Sequence, residues 1–197
     1  MSKSDPSAIK KERNKTIRWV VTIFIVTIII SATISFASTN LLEISPTFLK
    51  FLVLLVIIFV GIIFDIVGVA VTSADEKPFH SMAARKVPGA QECIMLLRNA
   101  SRVSSICNDV IGDICGVISG SASAAIAAVI ITNYSGSVQQ IIMLAMSALV
   151  AGLTVGGKAI GKTYAIRSCT RIVTFVGKLI WFIQSPSRIF RSKNKNK

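Results

Sequence analysis

Residues 48–71 read FLKFLVLLVIIFVGIIFDIVGVAV, an almost unbroken apolar run in which only Lys50 and Asp65 carry charge. A helix needs about 20 apolar residues to cross a bilayer, because hydrocarbon offers no hydrogen-bond partner to backbone N–H and C=O groups. Residues 19–38 form a second such run without any charge, and residues 108–132 and 138–161 form two more of similar length. The sequence therefore predicts an all-α integral membrane protein with four transmembrane helices.

The composition agrees with this fold class. The 197 residues are 52% hydrophobic and 16% charged, with a mean hydropathy of +0.68, whereas about a quarter of the residues of a soluble domain are charged. The first apolar run is longer than the roughly 7–15 apolar residues of a secretory signal peptide. We therefore expect it to be a retained helix.

The distribution of basic residues predicts the orientation. Lys and Arg are concentrated before the first run, between the second and third, and after the fourth, whereas residues 39–47 hold only Glu43 and residues 133–140 hold no charge. Cytoplasmic loops carry such an excess of Lys and Arg. We expect a multi-pass protein of the cell membrane with both termini in the cytoplasm, and this topology explains the net charge of +13 without nucleic acid as a partner.

The remaining segments are basic and amphipathic. Residues 1–18 form a basic cytoplasmic N-terminus, and residues 19–166 form the transmembrane domain. Residues 73–107, broken at Pro88, predict two short helices as a juxtamembrane belt on the inner surface, with a solvated hairpin as the alternative. Residues 167–197 predict a basic amphipathic helix and tail in the interface, with a fifth span as the alternative. The bilayer and its anionic lipid headgroups are the expected partners.

Small residues mark the third and fourth runs. Glycines recur every four residues at Gly112, Gly116 and Gly120, and the fourth run repeats the theme with Gly152, Gly156, Gly157 and Gly161. This spacing lets another membrane helix approach closely. We expect the two helices to pack against protein, and a homodimer is the expected assembly.

Charged residues inside the spans are the candidate functional residues. Each charge near a helix centre costs about 2.5–3.5 kcal/mol on insertion scales, so such residues usually pair or serve a function. Counting about 1.5 Å per residue from the helix ends puts Asp65, Asp113 and Lys158 roughly 5–10 Å below the inner surface, with Asp109 one turn shallower. Three interpretations are compatible with these positions. The residues could line a polar cavity that is open to the cytoplasm, form a buried Asp–Lys pair, or extend their side chains to the headgroups. Asn108 adds the kind of oxygen ligand that a hard cation prefers.

Three segments resemble the transmembrane domain of the CNNM/CorC (CorB-type) magnesium transporters. Ala70-Val71-Thr72-Ser73 resembles the end of the family's first signature, and residues 104–120 resemble its second helix. Residues 157–165, GKAIGKTYA, resemble its third motif. The resemblance covers residues 48–166 in the same order of elements.

The resemblance implies transport of Mg²⁺ by a homodimer. It also shows departures: Lys158 stands where the family has an ion-coordinating glutamate, and Gly161 replaces a proline. Members also carry nucleotide-binding CBS domains, for which these residues offer no match. These changes are consistent with two arrangements. In one, the Lys158 ammonium group takes the place of the bound cation; in the other, aspartates form a remodelled cation site.

We therefore predict a divergent CorB-like divalent cation transporter. Its candidate cation site contains Asp65, Asn108, Asp109 and Asp113, with Lys158 as the charge partner. The alternative is a non-transporting membrane scaffold or regulatory subunit stabilised by an intramembrane Asp–Lys pair.

An enzyme is not predicted, and neither is a cofactor. The single histidine, His80, lies in the belt without an evident partner, and no nucleophile–base constellation occurs. The four cysteines lack C-x-x-C spacing, so we expect them to be small buried hydrophobes and not metal ligands.

Overall fold

The computed structural model of the chain describes residues 6–44, 46–132, 134 and 136–193, and every regular element among them is a helix. In chain order these are α1 (Pro6–Ile44), α2 (Thr47–Ser73), α3 (Lys77–Ala84), α4 (Ala90–Arg98), α5 (Ala100–Ser104), a π-helix (Ser105–Gly112), α6 (Asp113–Ile131), α7 (Ser137–Arg167) and α8 (Cys169–Lys193). The predicted all-α class is confirmed for these residues.

Four helical stretches are long and apolar enough to cross a membrane, as the sequence predicts. They are Thr16–Ser38, Thr47–Ser73, Ala100–Ile131 and Ser137–Arg167. The third begins at Ala100 and not at residue 108, because α5, the π-helix and α6 follow one another without a break. The segment between the second and third spans is therefore shorter than the predicted 73–107. The first helix likewise begins at Pro6, inside the predicted basic N-terminus.

Helix α2 is the centre of the structure, in contact with α1, α6, α7 and α8. It is apolar on almost every face, which is typical of a buried or membrane-spanning helix, and side chains such as Phe59 and Ile63 on one side of it are exposed. Its N-terminal half packs through Leu54 and Ile58 against Ala122 and Ile126 of α6 and Val150 of α7. The C-terminal half carries the residues discussed below.

Close contact between α2 and α7 depends on two glycines of α7. A Cβ at Gly161 would lie 2.8 Å from Ile66 Cγ1, and one at Gly157 would overlap the side chain of Ile62. Cβ atoms essentially never approach other atoms this closely, so the side chains of α2 use the space that the missing Cβ atoms leave. This is the small-residue packing expected between membrane helices.

Four of the other predicted glycines behave differently. Among the described residues, and apart from chain neighbours and the backbone of the same helix, no atom lies within 4 Å of the position that a Cβ would take at Gly116, Gly120, Gly152 or Gly156. Of the predicted set, Gly112, Gly157 and Gly161 are packed inside one chain. The expected close packing against protein at the other four would require a second chain.

The segment between the second and third apolar helices contains two short helices, α3 and α4, as the sequence predicts, and α8 packs against the second of them. The chain turns between them at Gly89, whose φ of +87° favours glycine. The Cys93 thiol of α4 donates a hydrogen bond of 3.3 Å to the Val173 carbonyl of α8. Gly177 of α8 has no room for a Cβ against Cys93 and the Gly89 carbonyl. Helix α4 therefore holds the start of α8 against the C-terminal end of α2, where Cys93 and Val173 pack with Val71.

The environment of Cys93 predicts low reactivity in the native protein. Burial first, and the neighbouring Glu92 carboxylate second, raise the pKa of the Cys93 thiol above its ordinary value. Because the thiolate is the nucleophile, a raised pKa and a buried sulfur both slow alkylation. At pH 8 we expect a maleimide to label the partly exposed Cys169 and to leave Cys93 unmodified, as measured by peptide mass spectrometry.

The control is the Cys169→Ser variant, which should take up almost no label until denaturant is added. Rapid labelling of Cys93 in that native variant would show that α8 separates from α4 in solution.

Candidate functional site

On one face of α2, a carboxylate lies between two glycines that contact neighbouring helices. Gly61, Asp65 and Gly68 follow one another at i, i+4 and i+7, so they share a face of the helix. A Cβ at Gly61 would lie 2.9 Å from Cys115 Cβ of α6, and one at Gly68 would overlap the Asn108 amide of the π-helix. Asp65, which is half-buried, therefore lies on the face of α2 that contacts the π-helix and α6.

Asn108 carries the clearest polar anomaly of this interface. Its Nδ2 donates a hydrogen bond of 3.3 Å to Ser104 Oγ. Its Oδ1, in contrast, is buried and has no hydrogen-bond partner among the residues that the structure describes. Leaving a buried acceptor unsatisfied costs about 1–3 kcal/mol, so an atom of this kind requires an explanation such as a bound water or ion.

The π-helix that carries Asn108 interrupts the third span. It covers Ser105–Gly112, between two stretches of ordinary α-helix. Such segments are rare and, where they occur, frequently lie at functional sites. Composition and periodicity give no signal for it, since the sequence reads as an ordinary continuation of the helix.

Lys158 reaches the same region from α7. It is half-buried and follows Gly157, which contacts α2. Its Nζ lies 3.3 Å from the position that a Cβ would take at Gly112, the last residue of the π-helix. The ammonium group therefore lies beside the junction of the π-helix with α6.

Asp65 is directed toward this junction by its place on α2. The residues that contact α7, Ile62 and Ile66, lie on one side of it around the helix, and Gly61 and Gly68, which contact α6 and the π-helix, lie on the other. We refer to the place where α2, the π-helix and α7 meet as the three-helix junction. It contains a carboxylate, an ammonium group and an unpartnered amide oxygen, on Asp65, Lys158 and Asn108.

The two other predicted site residues lie elsewhere. Asp109 and Asp113 are exposed. Ile114, with Ile118 one turn on, packs against side chains of α1 and α2, and Cys115 faces α2, so Asp113 is left on the outer side of α6. Within a single chain the predicted set is therefore divided into Asp65 and Asn108 at the junction and Asp109 and Asp113 outside it.

The charged groups assigned to the junction form no direct ion pair. In the described residues, no ion pair of 4.0 Å or less joins Lys158 to Asp65, Asp109 or Asp113. Within the same ranges, no group of three or more His, Cys, Asp or Glu side chains is placed to hold a metal ion. Any cation at the junction would therefore be bound by one carboxylate together with amide oxygen and water.

Two contacts, one within α3 and one between α1 and α5, are not predicted by the sequence analysis. The expectation that His80 has no partner is wrong, because its Nε2 lies 3.3 Å from Glu76 Oε2 one turn earlier on α3. The guanidinium carbon of Arg102 lies 5.0 Å from the ring centroid of Trp19, a cation–π contact that joins α1 to α5. The i, i+4 spacing was the available signal for the first, whereas nothing in the sequence indicates the second.

The glycine at position 68 provides a test of the junction's geometry. In Gly68→Ala the new methyl group would overlap the Asn108 amide, so we expect the protein to lose about 1–3 kcal/mol of stability, as overpacked interfaces do. The measurement is thermal unfolding in detergent, followed by circular dichroism. Amide hydrogen exchange should rise in residues 105–112.

Gly120→Ala is the matched control, because nothing lies within 4 Å of its Cβ position and alanine favours helix. Equal stability of the two variants would mean that α2 and the π-helix do not pack as closely as described.

Comparison of the chain with protein-family models, with curated proteins and with solved structures finds no match in any of the three.

Proposed function

We propose that the chain is a multi-pass protein of the cell membrane that moves a divalent cation, with Mg²⁺ as the first candidate, through the three-helix junction. The observation that carries the proposal is the buried, unpartnered Oδ1 of Asn108 on a π-helix. It lies against the face of α2 that bears Asp65. Carboxylate and carbonyl oxygens are the ligands that hard cations prefer.

The small number of protein ligands suits Mg²⁺. This ion gives up its water shell reluctantly and is usually bound through one or two carboxylates while it keeps several waters. Asp65 would provide the carboxylate and Asn108 the amide oxygen. A site of this kind binds weakly, and weak binding is what an ion that must leave again requires.

Lys158 gives the junction a second state. Without a cation, its ammonium group offsets the charge of Asp65 across a gap too wide for a direct ion pair. A divalent cation near Asp65 would repel the ammonium group and displace it. Competition between the two positive charges would then limit the affinity for the ion and favour its release.

The topology and the resemblance add support. Both basic ends and the belt would face the cytoplasm by the positive-inside rule. Residues 48–166 resemble the transmembrane domain of the CNNM/CorC magnesium transporters. Because Lys158 stands where that family has an acidic residue, we propose that the chain is a divergent relative of these transporters.

The test is uptake of Mg²⁺ into proteoliposomes that contain the full chain and a fluorescent Mg²⁺ indicator. Asp65→Asn should reduce the initial rate at least tenfold, because it removes the only carboxylate of the junction. Asp113→Asn is the matched control: it makes the same chemical change in the third span outside the junction, so its rate should stay within about twofold of the unchanged protein.

Two results would contradict the proposal. The first is a rate for the unchanged chain equal to that of empty liposomes. The second is a loss of uptake in Asp113→Asn with normal uptake in Asp65→Asn, which would move the pathway to the outer face of α6.

A second candidate function is a homodimeric membrane scaffold or regulatory subunit, and the outer face of α6 favours it. Asp109 and Asp113 are exposed on a membrane span, and carboxylates that face lipid are unfavourable. The open glycine positions of α6 and α7 would let another helix approach closely. A second copy of the chain would cover both features.

If the chain is such a dimer, a large side chain at Gly152 or Gly156 should weaken dimerisation and leave the folding of each chain unchanged. Gly152→Leu and Gly156→Leu should each lower the dimer fraction at least fivefold in detergent, measured by light scattering, with the unfolding temperature unchanged. Ile160→Leu, a volume-conserving change at a residue 75% exposed on the same helix, should keep the dimer.

A chain that is monomeric before any substitution would contradict the scaffold. A stable dimer with no Mg²⁺ uptake would favour the scaffold over the transporter.

A further inference from the structure

A groove of about 530 Å³ lies between the inner half of α2, the end of α7 and the start of α8. Apolar side chains make up nearly all of its wall. They include Ile63, Phe64 and Val67 of α2 and Phe175, Val176 and Leu179 of α8. Only two lining residues, Tyr164 and Arg171, bear polar groups at the ends of their side chains. Its volume is in the range of small-molecule pockets.

The groove follows about two turns of α8. Its lining residues on α8 run from Arg171 to Leu179, about 12 Å at 1.5 Å per residue, and those on α2 run from Ile63 to Val67, about 6 Å. One leaflet contributes about 15 Å of hydrocarbon, so an acyl chain of the inner leaflet would lie in the groove over most of its length.

Helix α8 places cations at the mouth of this groove. Arg171, Phe175, Lys178 and Phe182 follow one another at i, i+4, i+7 and i+11, so they form a single stripe along the helix. All four are exposed, with 70% of Phe175 and 71% of Phe182 accessible. Aromatic rings and long cationic side chains on one face are typical of helices that lie at the membrane interface.

A second apolar groove, of about 520 Å³, continues along the same stripe. It shares Phe175 and Leu179 with the first groove and contains Lys178. The two grooves thus lie next to each other, and a cation of the stripe belongs to each. This arrangement complements a molecule that has one anionic group and two apolar chains.

We propose that the two grooves form a specific site for an anionic phospholipid of the inner leaflet. Its phosphate is bound by Arg171 and Lys178, and its acyl chains lie in the two grooves on either side of Phe175. The site depends on the proposed topology and does not depend on transport, because none of its residues belongs to the three-helix junction.

The site would couple the lipid to the fold. A phospholipid between α2, α7 and α8 adds contacts to the part of α8 that follows the Cys93–Val173 hydrogen bond. Bound lipid would therefore hold α8 against the inner ends of the spans. A ligand that binds only the folded state stabilises it by an amount that rises with the logarithm of one plus the ratio of its concentration to its dissociation constant.

The test is native mass spectrometry of the full chain in detergent, titrated with phosphatidylglycerol or with phosphatidylcholine of the same acyl chains. We expect one phosphatidylglycerol to be retained at concentrations where phosphatidylcholine is not. Arg171→Gln should weaken retention about fivefold, since a cation at the surface contributes about 1 kcal/mol. Lys162→Gln, an equally exposed cation on α7 outside both grooves, is the matched control and should change nothing.

Two further arms separate the contributions of chain and headgroup. Val176→Trp fills the first groove and should abolish retention of phosphatidylglycerol, with helical content unchanged by circular dichroism. Excess inorganic phosphate should not displace the lipid, because the acyl chains supply most of the binding.

Equal retention of the two lipids, or equal loss in Arg171→Gln and Lys162→Gln, would overturn the proposal and leave only general attraction to a charged surface. Displacement by inorganic phosphate would overturn it as well, because it would show an anion site that needs no acyl chain.

Discussion

Close approach of helix backbones to α2 is the constraint on which the structure depends. On one side, Gly61 and Gly68 of α2 admit Cys115 and Asn108. On another side, the glycines of α7 admit Ile62 and Ile66. In a bilayer the solvent is as apolar as the side chains, so close packing replaces the hydrophobic effect as the main attraction between spans. The positions of Asp65 and Lys158 follow from these contacts.

The sequence predicts the spans well because their length and hydrophobicity are set by the bilayer and not by tertiary contacts. The sequence also indicates glycines that pack, such as Gly157 and Gly161, but it does not distinguish them from glycines without a contact. Gly112 and Gly116 look identical in a four-residue pattern, yet one is packed beneath Lys158 and the other meets nothing. Which glycine is used depends on the rotation of each helix, and that rotation is set by the shape of its neighbours.

The charged residues show a similar division. Counting residues gives each one a place along its helix, but not the direction of its side chain. Ile114 and Ile118 pack against α1 and α2, and this leaves Asp113 exposed on the other side of α6. The π-helix adds a local change of register that the pattern of residue types does not indicate. Of the four predicted cation ligands, Asp65 and Asn108 therefore lie on the faces that meet at the three-helix junction, and Asp109 and Asp113 lie outside it.

The contact between Arg102 and Trp19 has a practical consequence. Arg102 belongs to α5, the short helix that leads directly into the π-helix, and its guanidinium group lies over the indole of the first span. Only two tryptophans occur in the chain. Indole fluorescence is sensitive to a nearby cation. The emission of Trp19 should therefore change when α5 moves relative to α1, and it reports this movement without an added dye.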